Sequence, residues 1–238
     1  MHVYWLEQVE SDVPRTDEWL SQPELARLKS FAVPKRRGDW RLGRWTAKCA
    51  VASYLQLPSE SAILARVEIR AAISGAPEVF LDDHPLTLPI SLSHRAGRSL
   101  CAVSGAEIAL GCDLELIEPH SAAFINDYFT HTEQQLIAAA PPSSRTRLVA
   151  MFWSAKESAL KALHEGLRID TRSLAVAQEA DSADVNGWSP LRIHGADSQS
   201  FDCWWQQSGA FVRTIAAAAP LRCPIQLNMA PHSSSACA

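Results

Sequence analysis

The sequence predicts a mixed α/β (α+β) fold built from two similar halves. In the first half, a helical pattern over residues 35–57 is followed by two strand-like stretches that meet near Gly105. In the second half, a helical pattern over 145–165 is followed by strand-like stretches at 201–206 and 211–217. Strong helix formers fill the helical patterns, and β-branched and aromatic residues are frequent in the strand-like stretches. This repeated order of a long helix and a strand pair indicates two lobes.

Size and composition limit the classes of function. The chain has 238 residues, enough for one large domain or two small lobes that share a core. The net charge of −4 does not favour general nucleic-acid binding. No apolar run reaches the length of a membrane span, and the first residues lack a signal-peptide pattern. We therefore expect no nucleic-acid or membrane partner.

The six cysteines are scattered along the chain, without a Cys-x-x-Cys pair. Most lie in apolar surroundings, where reduced cysteine packs as a small hydrophobic residue. We therefore expect a cytoplasmic protein without disulfides.

Short local signals define the elements of the first half. Residues 2–8 are rich in β-branched and aromatic residues and predict a first strand. Ser21 precedes Pro23 and Glu24, an arrangement that is typical of a helix start. Pro34 ends this helix and precedes the long helical pattern.

Basic residues form a ridge along the predicted long helix. They are Arg37, Arg41, Arg44 and Lys48, which recur at positions i, i+4, i+7 and i+11. Such a ridge is often only a solvated surface, and we expect this of Arg41 and of Lys35.

The strand-like residues 88–92 lead into a polar segment that overlaps their end. It reads Ser91-Leu92-Ser93-His94-Arg95. A histidine directly after a strand and beside an arginine is a candidate for binding a phosphate group.

Acidic residues dominate the next motif, Gly111-Cys112-Asp113-Leu114-Glu115, which ends an apolar run. Side chains alternate along a strand, so Asp113 and Glu115 project from the same side. On the second long helix, Glu157 and Lys161 are four residues apart and share a face. Two carboxylates on a strand and a third on a helix form an oxygen-rich set that Mg²⁺ prefers, and Mn²⁺ accepts the same ligands.

The remaining elements of the second half follow from caps and turns. Thr130 and Glu133 have capping-box spacing and predict a short helix that ends before Pro141. Gly166 is expected to end the second long helix. These patterns divide the chain into an N-terminal lobe (1–110), a C-terminal lobe (111–220) and a flexible tail (221–238).

The acidic motif and the second long helix together resemble the 4′-phosphopantetheinyl transferases of the longer, two-lobed type. The family's pattern is Gly-x-Asp-x-Glu followed by Trp-x-x-Lys-Glu-x-x-x-Lys. Its positions here are Gly111, Asp113, Glu115, Trp153, Lys156, Glu157 and Lys161. The segment around Arg44 and Lys48 and the Ser-x-Ser-His motif at His94 are also similar to the family. The resemblance implies two pseudo-symmetric lobes, each a long helix packed on a small, mainly antiparallel sheet.

The resemblance also implies a reaction. The 4′-phosphopantetheine arm of coenzyme A moves to a serine of an apo acyl or peptidyl carrier protein, and adenosine 3′,5′-bisphosphate is released. A monomer is expected, because two lobes in one chain can complete the site.

The resemblance implies the following roles for individual residues. Asp113, Glu115 and Glu157 hold Mg²⁺, Glu157 is the general base directly or through a metal-bound water, and Lys161 stabilises phosphate charge. The residues that bind coenzyme A are Arg44, Lys48, His94 and Arg95. The family's usual Gly-Lys-Pro turn has Ala76 in place of lysine, so Arg70 or Arg95 is expected to compensate. Trp153 is expected to be a packing anchor, and Lys156 to face solvent or carrier protein, or to contact phosphate.

Two other functions stay open. One is a Mg²⁺-dependent phosphohydrolase or nucleotidyl transferase, although the Gly-x-x-x-x-Gly-Lys phosphate loop is missing from the sequence. The other is a non-catalytic module that binds coenzyme A or carrier proteins. The intact acidic and basic motifs argue against this second alternative.

Overall fold

Two long helices, each packed on an antiparallel sheet, organise the chain. The computed structural model describes residues 1–164, 168–178, 186–195 and 199–228. The first half contains β1 (Tyr4–Val9), α1 (Gln22–Lys29), α2 (Pro34–Tyr54), α3 (Ser61–Leu64), β2 (Val67–Ala71), β3 (Pro77–Leu81), β4 (His84–Leu86), β5 (Ile90–Arg95) and β6 (Arg98–Val103). The second half contains β7 (Leu110–Leu116), α4 (Ala122–Tyr128), α5 (His131–Ala139), α6 (Pro142–Ala162), β8 (Ala175–Gln178), β9 (Ser189–His194), β10 (Ser200–Ser208), β11 (Phe211–Ala217) and β12 (Ile225–Gln226).

The strands form three sheets. Their orders are β12-β1-β6-β5, β7-β11-β10-β9-β8 and β2-β3-β4. All pairs are antiparallel except β1 with β12, which is parallel. The predicted fold class, with one long helix on a mainly antiparallel sheet in each lobe, is confirmed. Within the described residues, no helix combines the length and the apolar character that crossing a membrane requires.

Three buried clusters hold these layers together. One surrounds α2 and includes Trp19 and Trp45. A second surrounds α6 and includes Phe129 and Phe152. The third lies between the sheets of the two lobes and joins residues of β1 and β6, such as Trp5, to residues of β7 and β11. Burial of this apolar surface between the sheets stabilises one lobe against the other.

The two long helices share an internal plan. Each has 21 residues and begins with a proline, and each buries a lysine at its fifteenth position, Lys48 in α2 and Lys156 in α6. Lys48 Nζ donates to the carbonyl oxygens of Trp19 (2.9 Å) and Leu64 (3.1 Å), and it forms an ion pair with Glu24.

The environment of Lys156 is closely similar. Its Nζ donates to the carbonyl oxygens of Tyr128 and Thr171, both at 3.0 Å, and lies 2.7 Å from Glu133 Oε2. Burial lowers the pKa of both lysines, and the neighbouring glutamate opposes that shift in each case. We call Lys48 with Glu24, and Lys156 with Glu133, the Lys–Glu anchors.

The glutamate of each anchor also closes a capping box. Glu24 accepts from the Ser21 backbone N–H (3.0 Å), and its other oxygen accepts from the N–H of Ile69 on β2 (3.2 Å). Glu133 does the same with Thr130 (2.8 Å) and with Val176 on β8 (2.9 Å). Each anchor therefore joins a helix start, a long helix and a strand in one buried network.

Two sequence predictions need correction. The strand pair expected around Gly105 does not form, because β6 pairs with β5 and β1 while β7 pairs with β11 in the other sheet. The turn signal there marks the crossing between the lobes. The hairpin predicted between 201–206 and 211–217 is confirmed by the pairing of β10 with β11.

The tail prediction also changes. Residues 221–228 run along β1, where the Ile225 N–H donates to the Val3 carbonyl (2.9 Å) and the Leu227 N–H donates to the Trp5 carbonyl (2.8 Å). Ile225–Gln226 therefore form a short strand, and residues 221–228 are not a free tail. Residues 229–238, and the predicted helix end at Gly166, lie outside the described residues.

Candidate active site

The strand that carries the acidic motif lies directly against α6 at Gly111. A Cβ atom there would stand 1.7 Å from the Ser158 carbonyl oxygen and 2.8 Å from the Ala162 nitrogen. A side chain of any size would therefore push β7 away from the helix. The close approach at glycine brings Asp113 within reach of Lys161.

Asp113 is the best buried acid of the group, with 3% of its surface exposed. Its Oδ1 accepts from Lys161 Nζ (2.7 Å) and from Ser93 Oγ (2.8 Å). Lys161 Nζ donates in addition to the Cys112 carbonyl oxygen (3.1 Å). The second oxygen, Asp113 Oδ2, is buried and has no hydrogen-bond partner in the described part of the chain.

Lys161 carries its charge in this setting. Burial on its own would lower the pKa of its ammonium group, but the Asp113 carboxylate, with Cys112 and Glu157, outweighs burial and raises the pKa. The side chain is 28% exposed, so the ammonium is held by Asp113 yet stays within reach of a ligand.

Glu115 lies next to this pair and has partners of its own. Trp153 Nε1 donates to Glu115 Oε1 (3.2 Å), and Arg95 Nε lies 3.3 Å from Oε2. Burial, assisted by the negative charge of Asp113, raises the pKa of Glu115 to about 7, although Arg95 and Trp153 oppose the shift. This carboxyl group therefore titrates near neutral pH.

Glu157 is half-buried on α6 and completes the acidic group. Burial and then the charge of Asp113 raise the pKa of Glu157, while Lys161 lowers it. Asp113 thus raises the pKa of both glutamates. Across the described ranges, however, no three acidic, histidine or cysteine side chains already converge as a metal site.

A cavity of about 340 Å³ lies between the two lobes beside these groups. Arg44 of α2 and Lys161 of α6 are its cationic lining residues, and the turn Ser74–Pro77 closes one side. A second cavity, of about 490 Å³, shares part of this wall. The residues common to both cavities are Pro77, Ile90, Leu110 and His164.

Comparison with known proteins matches the part of the chain that contains β7 and α6 to a known family. Residues 109–216, which span β7 to β11, match the model of the 4′-phosphopantetheinyl transferase superfamily. This match and the relatives described below support membership of this superfamily. The prediction of an enzyme of this family is thereby confirmed, and the matched stretch contains Asp113, Glu115, Glu157 and Lys161.

Two relatives of this transferase match over about four fifths of its length, and a third matches over slightly less than half. The 4′-phosphopantetheinyl transferase HetI of Nostoc sp. (strain PCC 7120) is 27% identical over 193 residues, which are 79% of each chain. The slr0495 protein of Synechocystis sp. (strain PCC 6803) is 27% identical over 207 residues, 81% of this chain and 80% of that protein. A 4′-phosphopantetheinyl transferase of Bacillus subtilis is 30% identical over 115 residues, 46% of this chain and 50% of that protein.

The residues expected to bind coenzyme A do not lie together in the transferase. Arg44 lines the cavity, where its guanidinium stacks on Trp40 (5.1 Å) and lies 3.9 Å from Glu24. Burial lowers the pKa of Arg44, and Glu24 opposes this. Lys48 is fully buried in its anchor, so the expectation that it contacts the ligand is wrong.

The other two candidates lie away from the cavity lining. His94 is exposed, on the opposite face of β5 from the buried Ser93. Arg95 forms ion pairs with Glu115 and Glu118, so it joins the acidic group rather than the cavity.

Two further expectations change for similar reasons. Arg70 pairs with Glu68 and Asp83 and stacks on Phe80 (3.9 Å), so it does not replace the lysine missing at Ala76. Lys156 faces neither solvent nor phosphate, because it is enclosed in its anchor.

Sequence reasoning does not predict four contacts of the acidic group and the cavity. Trp153 was expected only to pack, but its indole N–H donates to Glu115. Ser93 and Glu118 were not singled out, and neither was His164, which lines both cavities. A signal existed for Ser93, because alternation along β5 places it on the buried face toward the acidic strand. The others depend on tertiary contacts.

Proposed function

We propose that this transferase moves the 4′-phosphopantetheine arm of coenzyme A to a serine of an apo acyl or peptidyl carrier protein. Adenosine 3′,5′-bisphosphate is the second product. The observation that carries this proposal is the cavity lined by both Arg44 and Lys161, where Asp113 holds Lys161 and raises the pKa of Glu115 and Glu157. Coenzyme A carries a diphosphate and a 3′-phosphate, and charge-assisted hydrogen bonds from such cations bind phosphate oxygens well.

The chain's own residues supply the groups that the reaction needs. The serine oxygen forms a bond to the phosphorus of the pantetheine side, and the bond from that phosphorus to the bridging oxygen breaks. Lys161 is charged and positioned by Asp113, so it stabilises the negative oxygens that gain charge in this step. The serine proton passes to Glu157, directly or through a water.

We further propose that Asp113, Glu115 and Glu157 hold Mg²⁺, with Mn²⁺ as an alternative. The donor set fits a hard divalent cation, because Asp113 Oδ2 is buried without a partner and Asp113 raises the pKa of both glutamates. A bound cation would offset this repulsion and the negative charge of the diphosphate.

In this proposal, the two lobes provide different residues of the site. Residues 1–110 form the N-terminal lobe, which provides Arg44, and residues 111–220 form the C-terminal lobe with the metal-binding and Lys-Glu motifs. Both sides of the cavity come from one chain, which supports a monomer. We place the reaction in the cytoplasm, because four buried cysteines keep free thiols, as is usual in a reducing compartment: Cys49, Cys101, Cys112 and Cys203.

The test is to incubate the protein with coenzyme A, Mg²⁺ and an apo carrier protein, and to weigh the carrier by intact-mass spectrometry. We expect a gain of one phosphopantetheine arm, lost when a chelator is added. Tight binding of coenzyme A without any mass gain on acyl or peptidyl carriers would contradict transfer and favour a binding module. Release of adenosine 3′,5′-bisphosphate without a carrier would favour a hydrolase instead.

A further inference from the structure

Helix α6 is followed by a histidine in the left-handed backbone conformation. His164 is the second residue after the helix, and its φ is 58°. Glycine is the usual residue at this position, because a Cβ atom makes the left-handed conformation unfavourable. Histidine is tolerated there less readily than glycine. A residue that keeps an unfavourable backbone conformation is a candidate for a functional role when it faces a site.

The N-terminal lobe provides a matched position. Gln56 is the second residue after α2, and its φ is 57°. Both side chains are exposed. The two positions differ in their surroundings, because Gln56 lines neither of the two cavities described above, whereas His164 lines both.

His164 lies where the two cavities meet, and the two differ in character. The first contains the cations Arg44 and Lys161. The second is lined mainly by apolar side chains, and its charged members are the acids Glu78 and Glu107. Carboxylates repel phosphate groups, so the second cavity suits an uncharged part of a ligand whose phosphates occupy the first.

We propose that His164 is a coenzyme A-binding residue that stacks on the purine ring of the nucleotide. This inference rests on the proposed function and adds to it a residue outside the acidic and basic motifs. The phosphates lie in the cationic cavity, and the purine extends past His164 toward the apolar one. The exocyclic amine of the purine can donate to the carboxylates there. An aromatic ring at the boundary provides the flat surface on which a base stacks.

The test measures affinity by calorimetry with two probes, coenzyme A and adenosine 3′,5′-bisphosphate. His164→Gly is expected to weaken the binding of both probes roughly tenfold, which corresponds to the usual strength of one base–aromatic contact. Gln56→Gly is the matched control and is expected to leave both affinities unchanged. His164→Phe keeps a ring and is expected to bind both probes nearly as the wild type does.

The variants are chosen so that the folded state survives, because glycine is favoured at both positions. Thermal unfolding of each variant checks this directly. Equal affinity of His164→Gly and the wild type would overturn the inference and leave the proposed function standing. Weaker binding of coenzyme A alone would place His164 against the pantetheine arm and overturn the purine contact. Failure of the wild type to bind either probe would instead overturn the proposed function, and this inference with it.

Discussion

The two long helices are built on one plan but carry different chemistry. Each presents a buried lysine at its fifteenth position to the glutamate of a capping box. One and five residues beyond that lysine, α6 has Glu157 and Lys161, whereas α2 has Cys49 and Ser53. Cys49 is fully buried, and Ser53 Oγ donates to the Asn228 carbonyl oxygen (3.2 Å). The shared positions therefore stabilise the lobes, and the unshared ones carry the groups that we propose to react.

Comparison of the two long helices distinguishes two lysines of one motif, Lys156 and Lys161. Lys156 has a counterpart in the other lobe, is fully buried, and has all its partners in the protein. Lys161 has no basic counterpart, is partly exposed, and lines the cavity. Spacing in the sequence cannot tell a structural lysine from one that we propose to bind phosphate, but comparison with the matched lobe distinguishes the two.

The largest effect is expected from breaking the anchors. Lys156→Met and Lys48→Met should each lower the free energy of unfolding by about 3–5 kcal/mol, because each leaves a buried glutamate without its cation. Urea denaturation of both variants measures this. Lys35→Met is the control, since Lys35 is 86% exposed and its loss should cost almost nothing. A large loss in one lobe and none in the other would show that the anchors are not equivalent.

The next effect concerns activity, measured under conditions in which each variant is folded. Lys161→Met should reduce the rate of carrier loading by roughly 10²–10³, the usual cost of removing a group that stabilises charge in the transition state. Ser53→Ala, at the matching position of α2, should load the carrier at the wild-type rate. Initial rates by intact-mass spectrometry compare the two. Similar rates for both variants would remove Lys161 from the chemistry.

A smaller effect is expected from the titration of Glu115. Its pKa is about 7 in the folded protein and ordinarily about 4.5, so the folded state binds this proton more tightly than the unfolded state. The stability that Glu115 contributes is therefore greatest at acidic pH and is lost as pH rises toward 7. In chelator, the melting temperature of the wild type should fall from pH 5 to pH 8 more steeply than that of Glu115→Gln. Parallel profiles would contradict the raised pKa.

The smallest effect is expected at Trp153. Trp153→Phe removes the hydrogen bond that favours the charged form of Glu115, so the pKa of Glu115 should rise further. A bond of this kind contributes about 1 kcal/mol, which corresponds to a roughly fivefold slower rate at neutral pH. The rate should recover at higher pH, as a pH–rate profile can show. A deficit that is the same at every pH would indicate lost packing instead.

Local signals predicted most elements and the acidic group. Strand alternation placed Asp113 and Glu115 on one side, and helical spacing placed Lys161 beside Glu157; the structure brings Asp113 and Lys161 into contact. The same reasoning failed for Lys48, which helical spacing placed on a basic ridge. Its burial depends on Trp19, Leu64 and Glu24, which are distant in the sequence.

Local signals also could not predict which strands pair. The turn near Gly105 was predicted, but whether the chain pairs back or crosses to another sheet depends on which strands lie alongside. The pairing of Ile225 with β1 likewise depends on a partner more than 200 residues away in the sequence. Contacts of this kind are determined by the assembled core, which no short window contains.

The central claim is that coenzyme A lies between the lobes, held by Arg44 from one and Lys161 from the other. A crystal structure of the protein with coenzyme A and Mg²⁺ tests this most directly. We predict phosphate oxygens within hydrogen-bond distance of both residues, and Lys48 still enclosed in its anchor. Coenzyme A bound elsewhere, with the cavity between Arg44 and Lys161 unchanged, would contradict the claim.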